Sequence, residues 1–112
     1  MEKEDFMIEA AQELASEYID KNSNLSGNFF LTEELNHIKS ILASALQTKW
    51  SFGVPGGGFV NRLVKNDLLG AIESADSVNR KAIVPLACGL AYIRFSDIKE
   101  RAAKIDKWTK DI

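Results

Sequence analysis

Cysteine and histidine are nearly missing from this sequence: its 112 residues include one of each, Cys88 and His37. A lone cysteine excludes an intramolecular disulfide and any cysteine-rich zinc site. A lone histidine means that a Ser-His-Asp or Cys-His catalytic set would have to use His37. Proline is scarce, with only Pro55 and Pro85. No run of about 18 apolar residues exists, so no bilayer-spanning helix is expected. The longest apolar stretch, Ala82 to Ile93, is interrupted by Pro85 and Gly89. Excess basic charge is absent too. The formal net charge is −2 and the pI about 5.4, the wrong balance for gripping a nucleic-acid backbone. The chain opens on Met-Glu-Lys-Glu-Asp, acidic where a signal peptide is basic, which predicts a cytoplasmic protein with no membrane partner.

What is present favours one compact domain over residues 1–112. An apolar content of 46% with a small net charge is enough to bury a core and argues against disorder. Charge is polarised along the chain. Residues 1–24 hold seven acids against Lys3 and Lys21, and residues 94–112 hold six basic residues against four acids.

Helical periodicity dominates. From Asp5 to Lys21, the residues Met7, Ile8, Ala11, Leu14, Ala15, Tyr18 and Ile19 share one arc. Asn22–Gly27 reads as a loop. Thr32 is the expected N-cap of a second helix, with Glu33 and Glu34 behind it and Leu35, Ile38, Ile41, Leu42, Ala45 and Leu46 on one face. Gly53–Gly58 is a Gly-rich interhelical turn. A third helix from Phe59 to Ala75 turns Val60, Leu63, Val64, Leu68, Ala71, Ile72 and Ala75 inward. Asp76 or Ser77 caps a fourth segment, in which Pro85 crowds the carbonyl of Lys81 and predicts a kink or a restart. Ser96 or Asp97 caps a last helix with Ile98, Ala102, Ile105, Trp108 and Ile112 inward. Asn28–Leu31 and Leu90–Phe95 are alternative short strands. The expected fold is an all-α bundle of four or five helices.

Several constellations carry both a structural and a functional reading. The triplet Gly56-Gly57-Gly58 precedes a helix, where free amides and a partial positive charge suit a phosphate or nucleotide. It lacks the Gly-Lys-Ser/Thr ending of a P-loop, and the alternative is a tight turn needing positive φ. Asp67 falls between Leu63 and Val64 on the helical wheel. A carboxylate there must be paired or hydrogen-bonded, either to the Gly56–Phe59 turn or Arg80, or it serves a ligand pocket. The opposite face carries Arg62, Lys65, Asn66 and Leu69, a candidate partner-binding patch centred on a leucine among charges. Glu9, Glu13, Glu17 and Asp20 form an acidic ridge. It is a solvated face, a second partner-binding surface, or a dock for Lys99, Lys104, Lys107 and Lys110; those lysines are also the sole candidates for a nucleic-acid contact. His37 and Glu33, four residues apart, form a solvated pair and no metal site. Cys88 is expected to be a small buried hydrophobe, and Phe29, Phe30, Trp50 and Phe52 to wedge helices together. An apolar arc left uncovered on the first or last helix would permit a homodimer.

The stretch Phe52-Gly-Val-Pro-Gly-Gly-Gly-Phe-Val60, followed by Leu63-Val64, Asn66-Asp67-Leu68, Ala71-Ile72, Ala75-Asp76 and Asn79, resembles a family of small phage and prophage proteins. Their pattern runs Pro-Gly-Gly-Phe, Asn-Asp-Leu, Ala-Asp and Asn before an apolar helix. The resemblance covers about residues 50–95 and implies a mobile-element origin without assigning any chemistry. The family's following Trp-Gly-Ser-Pro is reduced here to Phe95-Ser96-Asp97 and Trp108. Together these features predict a non-enzymatic helical protein that binds a host or viral protein stoichiometrically, with no catalytic residue, metal or cofactor.

Overall fold

In the computed structural model, which describes residues 2–23 and 29–110, every element is helical and no strand occurs among the described residues. Among the described residues seven helices follow in order: α1 (Lys3–Asn22), α2 (Thr32–Lys49), α3 (Gly58–Val64), α4 (Leu68–Ser74), α5 (Ser77–Lys81), α6 (Ile83–Tyr92) and α7 (Phe95–Lys110). The all-α expectation is met, but four or five helices become seven. Leu90–Phe95 is no strand: it is the end of α6 and the start of α7. Asn22 closes α1 and Ser23 is its C-cap, while residues 24–27 of the expected loop, the Asn28 end of the other candidate strand, and Ile112 lie outside the described residues.

The extra helices arise where side chains and backbone stop a run that looks continuous in sequence. The helix expected over Phe59–Ala75 breaks at Lys65–Asp67. Asn66 takes φ +67°, the Asp67 amide donates to the Arg62 carbonyl at 2.8 Å, and the Asn66 amide donates to Leu63 at 3.2 Å. This is a Schellman ending, with asparagine at the left-handed position that glycine usually fills. The next helix then starts at once, because the Asp67 carboxylate accepts the Gly70 amide at 3.0 Å. Helix α2 ends the same way, with Ser51 at φ +56° and the Phe52 amide on the Gln47 carbonyl at 3.0 Å. The restart expected near Pro85 occurs at Ala82, between α5 and α6.

Helix starts reuse one device. The amides of Glu2, Leu31 and Arg94 donate to the carboxylates of Asp5, Glu34 and Asp97, each three residues on. Glu34, also bonded by Lys81, is held below the usual carboxylate range by these donors, the Leu31 amide foremost. Thr32 and Ser96 are therefore helical residues and not caps; Asp97 acts from inside α7. Asp76 caps α5 directly through the Asn79 amide at 2.7 Å.

Helix α2 is the central rod: α1, α3, α5 and α6 all pack on it, and α7 packs against α1. Ile38, Leu42, Ala45 and Leu46 are fully or almost fully buried along it, opposite Ala11, Ala15 and Ile19 of α1. Helix α6 reaches α2 through Gly89, where an added Cβ would stand 2.7 Å from a Leu42 methyl. The α7 face is Ile98, Ala102 and Ile105, whereas Trp108, expected inward, is exposed.

The left-handed residue gives a test with opposite signs for a broken and a continuous helix. Asn66→Ala should lower stability to urea by about 1 kcal/mol relative to Asn66→Gly. An unbroken helix would reverse the order, since glycine costs about 1 kcal/mol more than alanine in a helix interior.

Candidate interaction surface

The break at Lys65–Asp67 resets the helical phase, and with it which side chains face out. Ala71 and Ala75 take the inward positions of the second half, and Leu68 and Ile72, expected inside, stand at the surface. Leu69 is 78% exposed, as its position on the wheel predicts. Asp67 is not buried among apolar neighbours: it is exposed, makes no bond to the Gly56–Phe59 turn, and spends its carboxylate on the Gly70 amide. The pocket reading of Asp67 therefore has no geometric support. Arg80 turns to the Ala75 carbonyl instead, at 3.2 Å.

The other members of the expected patch divide. Lys65 is the exposed C-cap of α3 and Asn66 the exposed turn residue. Arg62 reaches across the corner, its guanidinium donating to the Gly70 carbonyl at 3.1 Å and to the Ser74 hydroxyl. It ties α3 to α4.

Between that corner and α6 lies a cleft of about 460 Å³ lined by Lys49, Leu63, Val64, Asn66, Leu68, Ala87, Leu90 and Ala91. The Lys49 ammonium is turned onto the Leu90 carbonyl at 2.6 Å and lies 4.9 Å from the Trp50 ring centre. Helix α6 contributes no ionisable carboxylate, amine or guanidinium. Pro85, Leu86, Gly89 and Leu90 face inward, and Val84, Ala87, Ala91 and Tyr92 remain exposed, Tyr92 at 71%. An all-apolar helix belongs in an interior unless something covers its outer side. Periodicity missed this surface, because a run without polar residues has no phase to read. Cys88 on the same helix is half-buried.

The glycine turn is occupied by its own chain. The Gly56 amide donates to the Thr48 hydroxyl at 2.9 Å, and the Asn61 side-chain amide donates to the Gly56 and Gly57 carbonyls at 2.8 and 3.1 Å. Of the glycines in this turn Gly53 alone has positive φ; Gly56, Gly57 and Gly58 do not, and Gly58 is already helical. Glu4 and Gln47 accept the Gly53 and Val54 amides at 2.7 and 3.3 Å, fastening the loop to α1 and α2. The triplet is a splice between helices, and α3 has only seven residues.

The acidic ridge is largely spent inside the fold. Arg101 donates to Glu13 at 2.9 Å and to both oxygens of Glu17, one at 3.0 Å, and Asp20 meets Lys39 at 2.7 Å. The dock onto the last helix thus exists, through Arg101 and not through the lysines. The Arg101 hydrogen bonds hold the Glu17 carboxyl below its ordinary value, and Glu17 and Glu13 in turn raise Arg101. Glu9 is half-buried beside them. On α7, Lys99 and Lys110 flank a second cleft of about 510 Å³ with Lys3 and Asp106. At about 100° per residue, Lys104 and Lys107 point elsewhere, so the four lysines form no single stripe. His37 faces Asp76 at 3.7 Å, not Glu33. Among the described residues no three His, Cys, Asp or Glu side chains gather as metal ligands, and no helix is long and apolar enough to cross a membrane. Phe29, expected to wedge helices, is exposed, while Phe30 and Phe52 are buried and Trp50 packs on Phe95 at 5.3 Å.

The clamp on Glu17 sets a pH signature. A carboxyl depressed by folding stabilises the native state above its unfolded pKa of about 4.3, and that gain disappears as pH falls through the folded value. Glu17→Gln should therefore flatten the decline in thermal midpoint between about pH 5 and pH 3. An unchanged slope would remove the clamp from the stability of the fold. Comparison with protein-family models, with curated protein sequences and with solved structures gives no match to this chain.

Proposed function

We propose that the chain is a non-enzymatic interaction protein that binds a host or viral protein stoichiometrically through the face built by α4 and α6, with the cytoplasm as its place of action. The observation that carries this reading is the outer side of α6: Val84, Ala87, Ala91 and Tyr92 are exposed on a helix without a charged residue, and Ala87 and Ala91 share a cleft with the exposed Leu68 of α4, whose Leu69 and Ile72 are exposed as well. Interface cores are depleted in charge and enriched in large apolar and aromatic side chains. Each leucine newly buried there contributes about 1.5–3 kcal/mol. The lone histidine, His37, stands 3.7 Å from Asp76. The resemblance of residues 50–95 to phage and prophage proteins supports a mobile-element origin. Lys65 and Asn66 lie at the rim of this face, whereas Glu13 and Glu17 are engaged by Arg101.

A pull-down from host lysate with wild type and with the Leu69→Asp, Lys65→Glu variant tests the reading. The variant should lose its partner, at an affinity cost of about tenfold or more, while keeping the wild-type thermal midpoint. Identical captured proteins for the two chains would overturn it.

A further inference from the structure

We infer that the cleft between the start of α1 and the outer stripe of α7 binds one free aliphatic acid, with its carboxylate on the lysines of the rim and its alkyl chain on the apolar floor. The site is separate from the α4–α6 face and does not depend on how that face is read.

The cleft exists because α1 and α7 are clamped along one flank only. At about 100° per residue, Ile98, Ala102 and Ile105 define the buried face of α7, with Arg101 bordering it on one side. Arg101 closes that side through Glu13 and Glu17. Lys99, Ala103, Asp106 and Lys110 form a stripe on the other side, and together with Lys3, Phe6 and Met7 of α1 they enclose about 510 Å³. Alanine at positions 102 and 103 keeps this space open, since a larger side chain there would fill it. The volume falls in the range of small-molecule sites, about 300–1,000 Å³. From Lys99 to Lys110 the stripe runs about 16 Å along the helix, the reach of a medium-length alkyl chain.

The lining selects the ligand. Three ammonium groups border the cleft against one carboxylate, Asp106, which pairs with Lys110 at 3.4 Å. Among the described residues Lys3 and Lys99 have no ion pair, and the Lys99 ammonium lies 5.7 Å from the Phe95 ring centre. The acids beside Lys3 in sequence are held by backbone amides, Glu4 by Gly53 at 2.7 Å and Asp5 by Glu2 at 3.1 Å. Glu100 points about 100° away from Lys99 around α7. Two positive charges are thus left over a floor of Phe6, Met7 and the two alanines. That combination fits a molecule negative at one end and apolar along the rest. No hydroxyl or carboxamide side chain among the described residues lines the cleft, so a sugar or a nucleobase would lack the polar groups that fix its orientation. A bare inorganic anion would leave the floor wet, and a neutral lipid would leave the ammonium groups unpaired.

Calorimetric titration of the full chain with dodecanoate, kept below its micelle concentration, tests this. Salt at about 150 mM screens charges more than about 8 Å away. One molecule should bind per chain. Decanoate should bind about three- to tenfold more weakly, as the loss of two partly buried methylenes requires. Dodecyltrimethylammonium, with a tail of the same length and the opposite charge, should bind at least tenfold more weakly. Lys99→Glu reverses a charge on the rim and Ala103→Glu places a carboxylate on the floor; each should weaken dodecanoate about tenfold or more. Lys104→Glu makes the same charge change elsewhere on α7 and should leave the affinity unchanged. All three positions are exposed, and a wild-type helical spectrum and thermal midpoint check that each variant folds. No binding of dodecanoate, several molecules taken up per chain, or equal affinity for the cationic tail would overturn the inference. So would a loss with Lys104→Glu as large as with Lys99→Glu, or affinity untouched by Ala103→Glu. Binding to phosphatidylglycerol vesicles without binding of the monomeric acid would overturn it in favour of a membrane surface.

Discussion

One residue in the left-handed region decides what this molecule shows to its surroundings. Asn66 at φ +67° turns the chain out of α3, and the carboxylate of Asp67 starts α4 without an intervening loop. Were the helix continuous, Leu68 and Ile72 would follow Val60 and Val64 along one arc and lie against α2. The turn consumes Lys65–Asp67 and shifts the phase, so Leu68 and Ile72 come out to join the exposed Leu69, while Ala71 and Ala75 stay inside. Arg62 then fixes the corner by bonding the Gly70 carbonyl and the Ser74 hydroxyl. The exposed ridge is thus a consequence of local backbone chemistry, held in place by a single guanidinium.

The other wall of the cleft follows from α2. That helix is buried along Ile38, Leu42, Ala45 and Leu46, and α6 approaches it closely because Gly89 has no side chain to meet Leu42. Packing on α2 accounts for Leu86, Gly89 and Leu90. It does not account for Val84, Ala87, Ala91 and Tyr92 on the far side, where polar residues would fold equally well. Scattered exposed apolar residues need no explanation. A set of exposed apolar residues on an uncharged helix, sharing a cleft with the exposed Leu68, does.

How much of this was legible follows from which physical signals leave a periodic trace. The long helices α1, α2 and α7 bury arcs that can be read from the spacing of Ala11, Ala15 and Ile19, of Ile38, Leu42 and Leu46, and of Ile98, Ala102 and Ile105. The Pro85 restart was legible from the missing amide. The α3–α4 break was not, because Leu63, Val64, Leu68, Ala71 and Ile72 keep three- and four-residue spacing straight through it. The usable signal was the pair Asn66-Asp67, a residue tolerant of positive φ followed by a strong N-cap. Taken as a helix interior, the same pair produced a buried carboxylate that does not exist. The α6 face was hidden for a different reason: amphipathic contrast vanishes when every residue is apolar.

Charge and apolar surface are assigned to different parts of the fold, and the division constrains how any partner is recognised. Glu13, Glu17 and Arg101 hold α1 to α7, Asp20 and Lys39 hold α1 to α2, and Glu34 and Lys81 hold α2 to the end of α5. The acids that looked in sequence like a second docking surface are thereby largely neutralised within the molecule. The α4–α6 face, with little charge of its own, cannot steer an encounter over distance. Association through it belongs to the unsteered regime of about 10⁵–10⁶ M⁻¹s⁻¹, only weakly sensitive to salt. Specificity must come from how well a ridge fits the cleft, and differences in affinity between partners must appear mainly in how slowly they leave. Shape is the only discriminator such a face has, which is why the position of Asn66, rather than any ion pair, governs what it can recognise.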